Sequence, residues 1–353
     1  MTYSQSGASL RPSHEGDTIR HQIAKYDLLA PCRTICLSSI LLLFALPLTS
    51  AAQVELRADK QILLETTHGT QTIKKGPGNK LYVLTRSVKP SSSLWISDYS
   101  GSSMRMILGG GSEPTDLRFP KDLAVDRDGN ATIVDAGLIK TFSPEGKLLS
   151  SFPSDRPQSV GVLSDGRILV SGLPKDGLIL VFDRQGKLLE RIGEPVRVED
   201  APGPGFNSVL NAGSIVVDDD DNIYYVFRFL LTPTVRKYTP DGKLVAEWHP
   251  ESGYLDQAIE NAKKTYLASK EKGSAGGNPL LTAGSFDTET KTLWVASGPE
   301  VMQLDSSGKT IQSFELFLPK GGPPIQTAGL LVDRDFIRAA GSLYGTFEFL
   351  RPH

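Results

Sequence analysis

The 353-residue sequence predicts an all-β ring of repeated four-stranded sheets. Three observations carry that expectation. A unit of about forty residues recurs along the chain, each clear copy has a tight x-Gly-Lys turn at the same place, and a spare apolar run stands before the first copy.

The clearest copies span 123–152, 160–192, 214–248 and 285–314. Each reads as an apolar strand, an Asp-rich turn, a second apolar strand, a gap, a third strand, the x-Gly-Lys turn and a fourth strand. The turns fall at Glu145-Gly146-Lys147, Gln185-Gly186-Lys187, Asp241-Gly242-Lys243 and Ser307-Gly308-Lys309. Glycine suits them because tight hairpins place a residue at positive φ. The first two turns are 40 residues apart, and the later spacings of 56 and 66 imply insertions. A weaker copy precedes them, with strands at Lys80–Leu84, Ser93–Ser97 and Met104–Ile107. A final copy has only three strands, at Gly329–Asp333, Phe336–Ala340 and Thr346–Leu350. The run from Val54 to Leu64 is expected to supply its fourth strand and seal the ring, which removes exposed sheet edges. The result is a six-bladed β-propeller of four-stranded antiparallel blades. The blades are expected near 70–108, 119–153, 157–193, 211–249, 281–317 and 326–350, closed by a strand over 54–65, all within a domain spanning 53–353.

Residues 1–52 read as a leader. Arg33 precedes the uncharged run 34–48, and Thr49-Ser50-Ala51-Ala52 follows with small residues suited to cleavage. The expectation is a secreted or periplasmic protein, touching a membrane only through an uncleaved leader. Both cysteines, Cys32 and Cys36, lie in this segment, so no disulfide or thiol chemistry is expected beyond it. A formal net charge of −2 provides no field for nucleic acid.

The unit Ala124-Val125-Asp126-Arg127-Asp128-Gly129-Asn130, with the trailing Phe142-Ser143-Pro144-Glu145-Gly146-Lys147-Leu148, resembles the repeats of NHL-type six-bladed propellers. The resemblance extends over nearly all of 54–350 and implies fold more than function. Such propellers include ligand-binding modules, protein-interaction platforms and a few lyases and lactonases.

In a propeller the Asp-Gly and Gly-Lys turns share one face. The connections between blades share the other, with the loops between second and third strands. The long connections 109–117, 193–211, 249–281 and 318–325 all fall on this second face, where a site is expected. Residues 193–211 read as an irregular Pro/Gly loop. Residues 251–272 read as a helix, with Leu255, Ile259, Ala262 and Tyr266 on one stripe. That helix suits either a lid over the central channel or a packed decoration on the rim.

The candidate binding face is Asp122, Gln158, Asn211, Arg228, Phe229, His249 and Gln326. The channel-mouth starts of the inner strands also include Lys121, Thr282 and Thr327. Lactonase-like propellers, by resemblance, hold a divalent cation with Glu, Asn and Asp; here Asp122 is the one acidic candidate. The histidines His68, His249 and His353 are too scattered for a zinc site. Asp218–Asp221 reads as a solvated turn rather than a calcium loop. No nucleophile elbow, P-loop or zinc-protease motif is present. The reading is a non-enzymatic module with no cofactor, binding a protein, peptide or glycan through its loop-rich face. The alternative is a metal-dependent hydrolase or lyase with a cation in the channel.

Overall fold

The repeated turns build the fold. In each of the four Gly-Lys hairpins the residue three before the glycine accepts its N–H and donates to the carbonyl of the lysine, as in Gly146 N to Ser143 O and Ser143 N to Lys147 O, both 2.9 Å. The four glycines have φ between +81° and +87°. Just beyond each turn the pairing slips by a residue, for example from Phe142–Leu148 to Thr141–Ser150. A type I turn closed by a left-handed glycine makes such a bulge, and the bulge adds to the strand twist that a propeller blade needs.

The protein is described as a computed structural model covering residues 54–63, 69–86, 92–173, 175–199, 201–273, 275–341, 343 and 345–352. The expected leader, both cysteines, His68 and His353 lie outside the described residues, as do the last two positions of the expected closing strand.

Six antiparallel blades form the ring. Their inner strands are Thr70–Gly76, Pro120–Val125, Ser159–Val162, Gly213–Val217, Ala283–Asp287 and Thr327–Val332. Each neighbours the next, and the sixth neighbours the first. Apolar layers fill the wedges between blades. Val134 and Ile139 of blade two meet Val160, Ile168 and Val170 of blade three, all buried. Burying each such side chain contributes about 1.5–3 kcal/mol.

The closure differs from the expectation of one strand on the last blade. Val54–Arg57 pairs in parallel with Phe314–Phe317 and gives blade five a fifth strand. Lys60–Ile62 then pairs antiparallel with Thr346–Glu348 and completes blade six. The chain crosses between blades at Ala58 and Asp59. Ala58 N donates to Phe317 O, while the Asp59 carboxylate accepts Leu350 N at 2.6 Å. Two short strands satisfy the free edges of two blades, where one longer strand would leave the crossing unpaired.

Buried ion pairs tie the middle strands of the blades to neighbouring loops. Lys140 Nζ donates to Asp135 Oδ2 at 2.8 Å and to Asp116 O at 2.7 Å, pinning the 109–117 connection onto blade two. Arg338 of blade six binds Glu348 and Asp333 and lies 4.1 Å from the Tyr99 ring centroid of blade one.

The expected helix is present as the longer of two α-helices among the described residues. α1 spans Pro204–Leu210 and α2 spans Gly253–Glu271. The Ser252 hydroxyl accepts Leu255 N at 3.1 Å and caps α2. Leu255, Ala262 and Tyr266 are buried, and Tyr266 meets Phe206 of α1 edge-on at 6.5 Å. α1 corrects the irregular-loop reading of 193–211. Pro204 sits in its first turn, and Phe206 and Leu210 bury its apolar side, so packing stabilises seven residues that are too short to be helical alone.

Candidate functional site

The inner strands surround a channel, and their first residues line its mouth on the loop-rich face. The cavity there has a volume of about 330 Å³, with Gln71, Lys121, Asp122, Gln158, Thr282 and Gln326 on its wall. Arg228 enters from the loop after the second strand of blade four, and Pro279 from the segment that follows α2. α2 stands beside the mouth, with the Tyr254 hydroxyl against Gly298, a residue of the cavity wall.

Among the described residues Asp122 is the only carboxylate lining this mouth, and both of its oxygens are engaged. Oδ1 accepts the Thr72 hydroxyl at 3.1 Å and Leu123 N at 2.8 Å. Oδ2 accepts the Ser159 hydroxyl at 2.5 Å and Val160 N at 3.1 Å. The Ser159 oxygen in turn accepts Ile215 N at 3.0 Å. One acidic side chain and one hydroxyl thus join the inner strands of four consecutive blades. A carboxylate has about four lone-pair sites, and four donors use them. With these four donors in place, Asp122 has no free oxygen to offer a divalent cation, which takes most of its ligands from free oxygens.

The cations are differently placed. The Arg228 Nε is buried without a hydrogen-bond partner among the described residues. Burial disfavours its charge, while Asp122 opposes that effect. Lys121 is half-buried, its Nζ donates to Pro157 O at 3.1 Å, and burial together with Arg86 holds its pKa down. Lys74 also lines the cavity.

Four of the seven candidate residues, Asp122, Gln158, Arg228 and Gln326, come together at the mouth. The other three do not. Asn211 is fully buried, and its amide bonds the backbone of Val196 and Asn207 to anchor the 193–211 connection. Phe229 is half-buried against the core cluster that holds Phe206 and Tyr266. His249 lines a separate cavity of about 480 Å³ beside Val196 and Leu231. Sequence reasoning passes over Gln71 and Lys74. The first inner strand, TQTIKKG, lacks the Val-Asp-x-x-Gly signature that locates its counterparts.

The opposite mouth has a cavity of about 530 Å³ and an acidic wall that includes Asp126, Asp218, Asp219, Asp221, Glu289 and Asp333. The four-aspartate run there is a hairpin turn, as expected. Asp218 Oδ1 accepts the N–H groups of Asp220 and Asn222, and its Oδ2 accepts the Asn222 amide and the Tyr224 hydroxyl. Asp219 pairs with Lys291, and Asp221 accepts the Ser164 N–H and hydroxyl.

The fold and this site define a six-bladed β-propeller with a polar channel mouth. No known protein family matches the sequence, and no curated protein does. Solved structures do resemble it. A streptogramin B lyase superposes with a TM-score of 0.51 at 12% identity, over 81% of this chain and 84% of that one. The β-propeller domain of Myceliophteria thermophila Cps50 (Swd1) superposes with a TM-score of 0.52 at 10% identity, over 84% and 99%. At such identities the likeness is one of fold.

Proposed function

We propose that this protein is a non-catalytic binding propeller that takes its ligand at the channel mouth on the loop-rich face. The observation that carries this reading is the engagement of Asp122. The one carboxylate among the described residues that line the mouth is spent on holding blades together, while amides and cations face the cavity. A carboxylate that acts as a general base or holds a metal needs a free oxygen at the reacting centre, and Asp122 offers none. The Asp-x-Asp-Gly-Asn turn and its trailing hairpin support an NHL-type repeat, and the apolar run 34–48 supports export to the periplasm or beyond.

The test uses the purified full chain and a thermal-shift screen of neutral and charged sugars, peptides and lactones, with metal content measured alongside. Binding that needs no metal, survives EDTA and is lost in Gln326→Trp supports the reading. Gln326 is exposed at the rim, so the new ring would obstruct the mouth with little effect on folding. A stoichiometric divalent ion together with turnover of a lactone or ester would replace the reading with the hydrolase alternative.

A further inference from the structure

The two ends of the channel carry opposite charge. Among the described residues, the loop-rich mouth has three cationic side chains on its wall, Lys74, Lys121 and Arg228, against one carboxylate. The turn-rich mouth has three cations, Lys74, Lys75 and Arg127, against six carboxylates. Lys74, Ile215, Val216 and Leu330 line both cavities, so the two belong to one channel with a cationic and an anionic end. The chain as a whole carries −2, so the cationic mouth is a local arrangement set against the overall sign.

The cations at this mouth are also short of partners. Asp122 influences Arg228 electrostatically, but no ion pair or hydrogen bond of the Arg228 guanidinium is formed among the described residues. The Arg228 guanidinium lies 5.6 Å from the Phe229 ring centroid, and its backbone is fixed by Ala212 O and Leu280 N. Lys121 spends one of its three donors on Pro157 O. A desolvated guanidinium that hydrogen-bonds to no acceptor is unfavourable even with the Asp122 charge nearby, and the shortfall is met when an oxyanion supplies the missing acceptors. Gln71, Gln158 and Gln326 add amide donors and acceptors around the same opening.

The geometry points to an oxyanion seat at the loop-rich mouth, with Arg228 and Lys121 as its two charged donors, for a small organic carboxylate or phosphate. The volume of about 330 Å³ suits a small organic anion. This assignment rests on the reading of the mouth as a binding site and adds the class of ligand. Ligands are drawn in by the cationic end and repelled from the acidic one, which gives the channel a direction of entry.

The test is calorimetric titration and thermal shift of the full chain at low ionic strength. The probes are inorganic phosphate, citrate and glucuronate, with glucose and spermidine as controls. The expected result is saturable binding of at least one oxyanion and none of glucose or spermidine. Binding of citrate or glucuronate without phosphate assigns a carboxylate, and phosphate alone assigns a phosphate group. Arg228→Met and Lys121→Met each weaken binding at least tenfold. Arg228→Lys, which keeps the charge and loses the fork, falls between, and the surface variant Lys264→Met binds as the parent does. Unchanged binding in both methionine variants overturns the assignment, as does the absence of any oxyanion binding. If oxyanions fail while a neutral ligand is bound and Gln326→Trp abolishes it, the oxyanion seat falls and the binding mouth stands. If Gln326→Trp leaves all binding intact, the binding mouth itself falls.

Discussion

Asp122 Oδ2 accepts the Ser159 hydroxyl at 2.5 Å, and this contact couples the inner strands of blades two and three where they open onto the channel. The same carboxylate holds Thr72 of blade one, and Ser159 passes the connection on to Ile215 of blade four. Asp122→Ala strands the Thr72 and Ser159 hydroxyls and the Val160 N–H in a largely buried setting. The expected cost is about 3 kcal/mol, read as a lower urea midpoint with the m-value unchanged. If Asp122 were instead a cation ligand spared this structural role, the apo variant would unfold at the parental midpoint.

Gly308 lies at φ +83°, and a Cβ added there would overlap Trp248 of the preceding blade. The equivalent Gly186 meets Phe152 in the same way, so the turn of one blade seats on the last strand of the blade before it. Gly308→Ala therefore carries both backbone strain and a clash. A loss of about 2–4 kcal/mol is expected, with quenched or shifted Trp fluorescence as a local reporter. A loss below 0.5 kcal/mol would mean that the interlock is loose.

The ring closure makes Leu63 a sensitive position. It is fully buried just after the Lys60–Ile62 strand and packs with Ile73, Leu81 and Val83 of blade one. Leu63→Ala should cost about 2–5 kcal/mol in chemical denaturation. Lys60→Ala, which removes only a half-exposed pair with Glu348, should cost no more than about 1 kcal/mol. Equal effects from the two would argue against closure by this segment.

Glu300 is buried beside the cap of α2 and receives the Ser252 hydroxyl at 2.5 Å. Burial pushes its carboxyl pKa up, hydrogen bonds from Ser252 and Ser313 pull the other way, and Glu315 adds to the rise. A carboxyl raised on folding favours the folded state below its unfolded pKa of about 4.3, and that contribution is lost as pH rises through the folded value. Glu300→Gln does not titrate. Its stability relative to the parent should therefore improve from pH 4 to pH 7, measured as the difference in melting temperature. A difference that is flat or falls with pH would contradict the raised pKa.

The number of blades and the kind of each sheet follow from local chemistry, and such chemistry is written in the sequence. Gly146, Gly186, Gly242 and Gly308 mark hairpins because few other residues hold that backbone conformation, and the stripe of Leu255, Ala262 and Tyr266 marks α2 through its period. The placement of Gln158, Arg228 and Gln326 at one mouth also followed, since a propeller puts the starts of its inner strands and the loops after its second strands on one face. What each of them does there was settled only by the folded neighbours. Asp122 stands in the sequence as a candidate on the binding face, and only the fold shows Thr72, Ser159 and Val160, distant in sequence, filling its lone pairs. Asn211 reads as a site residue until the 193–211 connection folds back onto it. The division of 54–62 between two blades depends on two open edges more than 250 residues away. The sequence by itself determined the repeat, because turns and strands depend on near neighbours along the chain. Only the tertiary structure decided which polar groups remained free, because hydrogen bonding is shared among groups that meet in space.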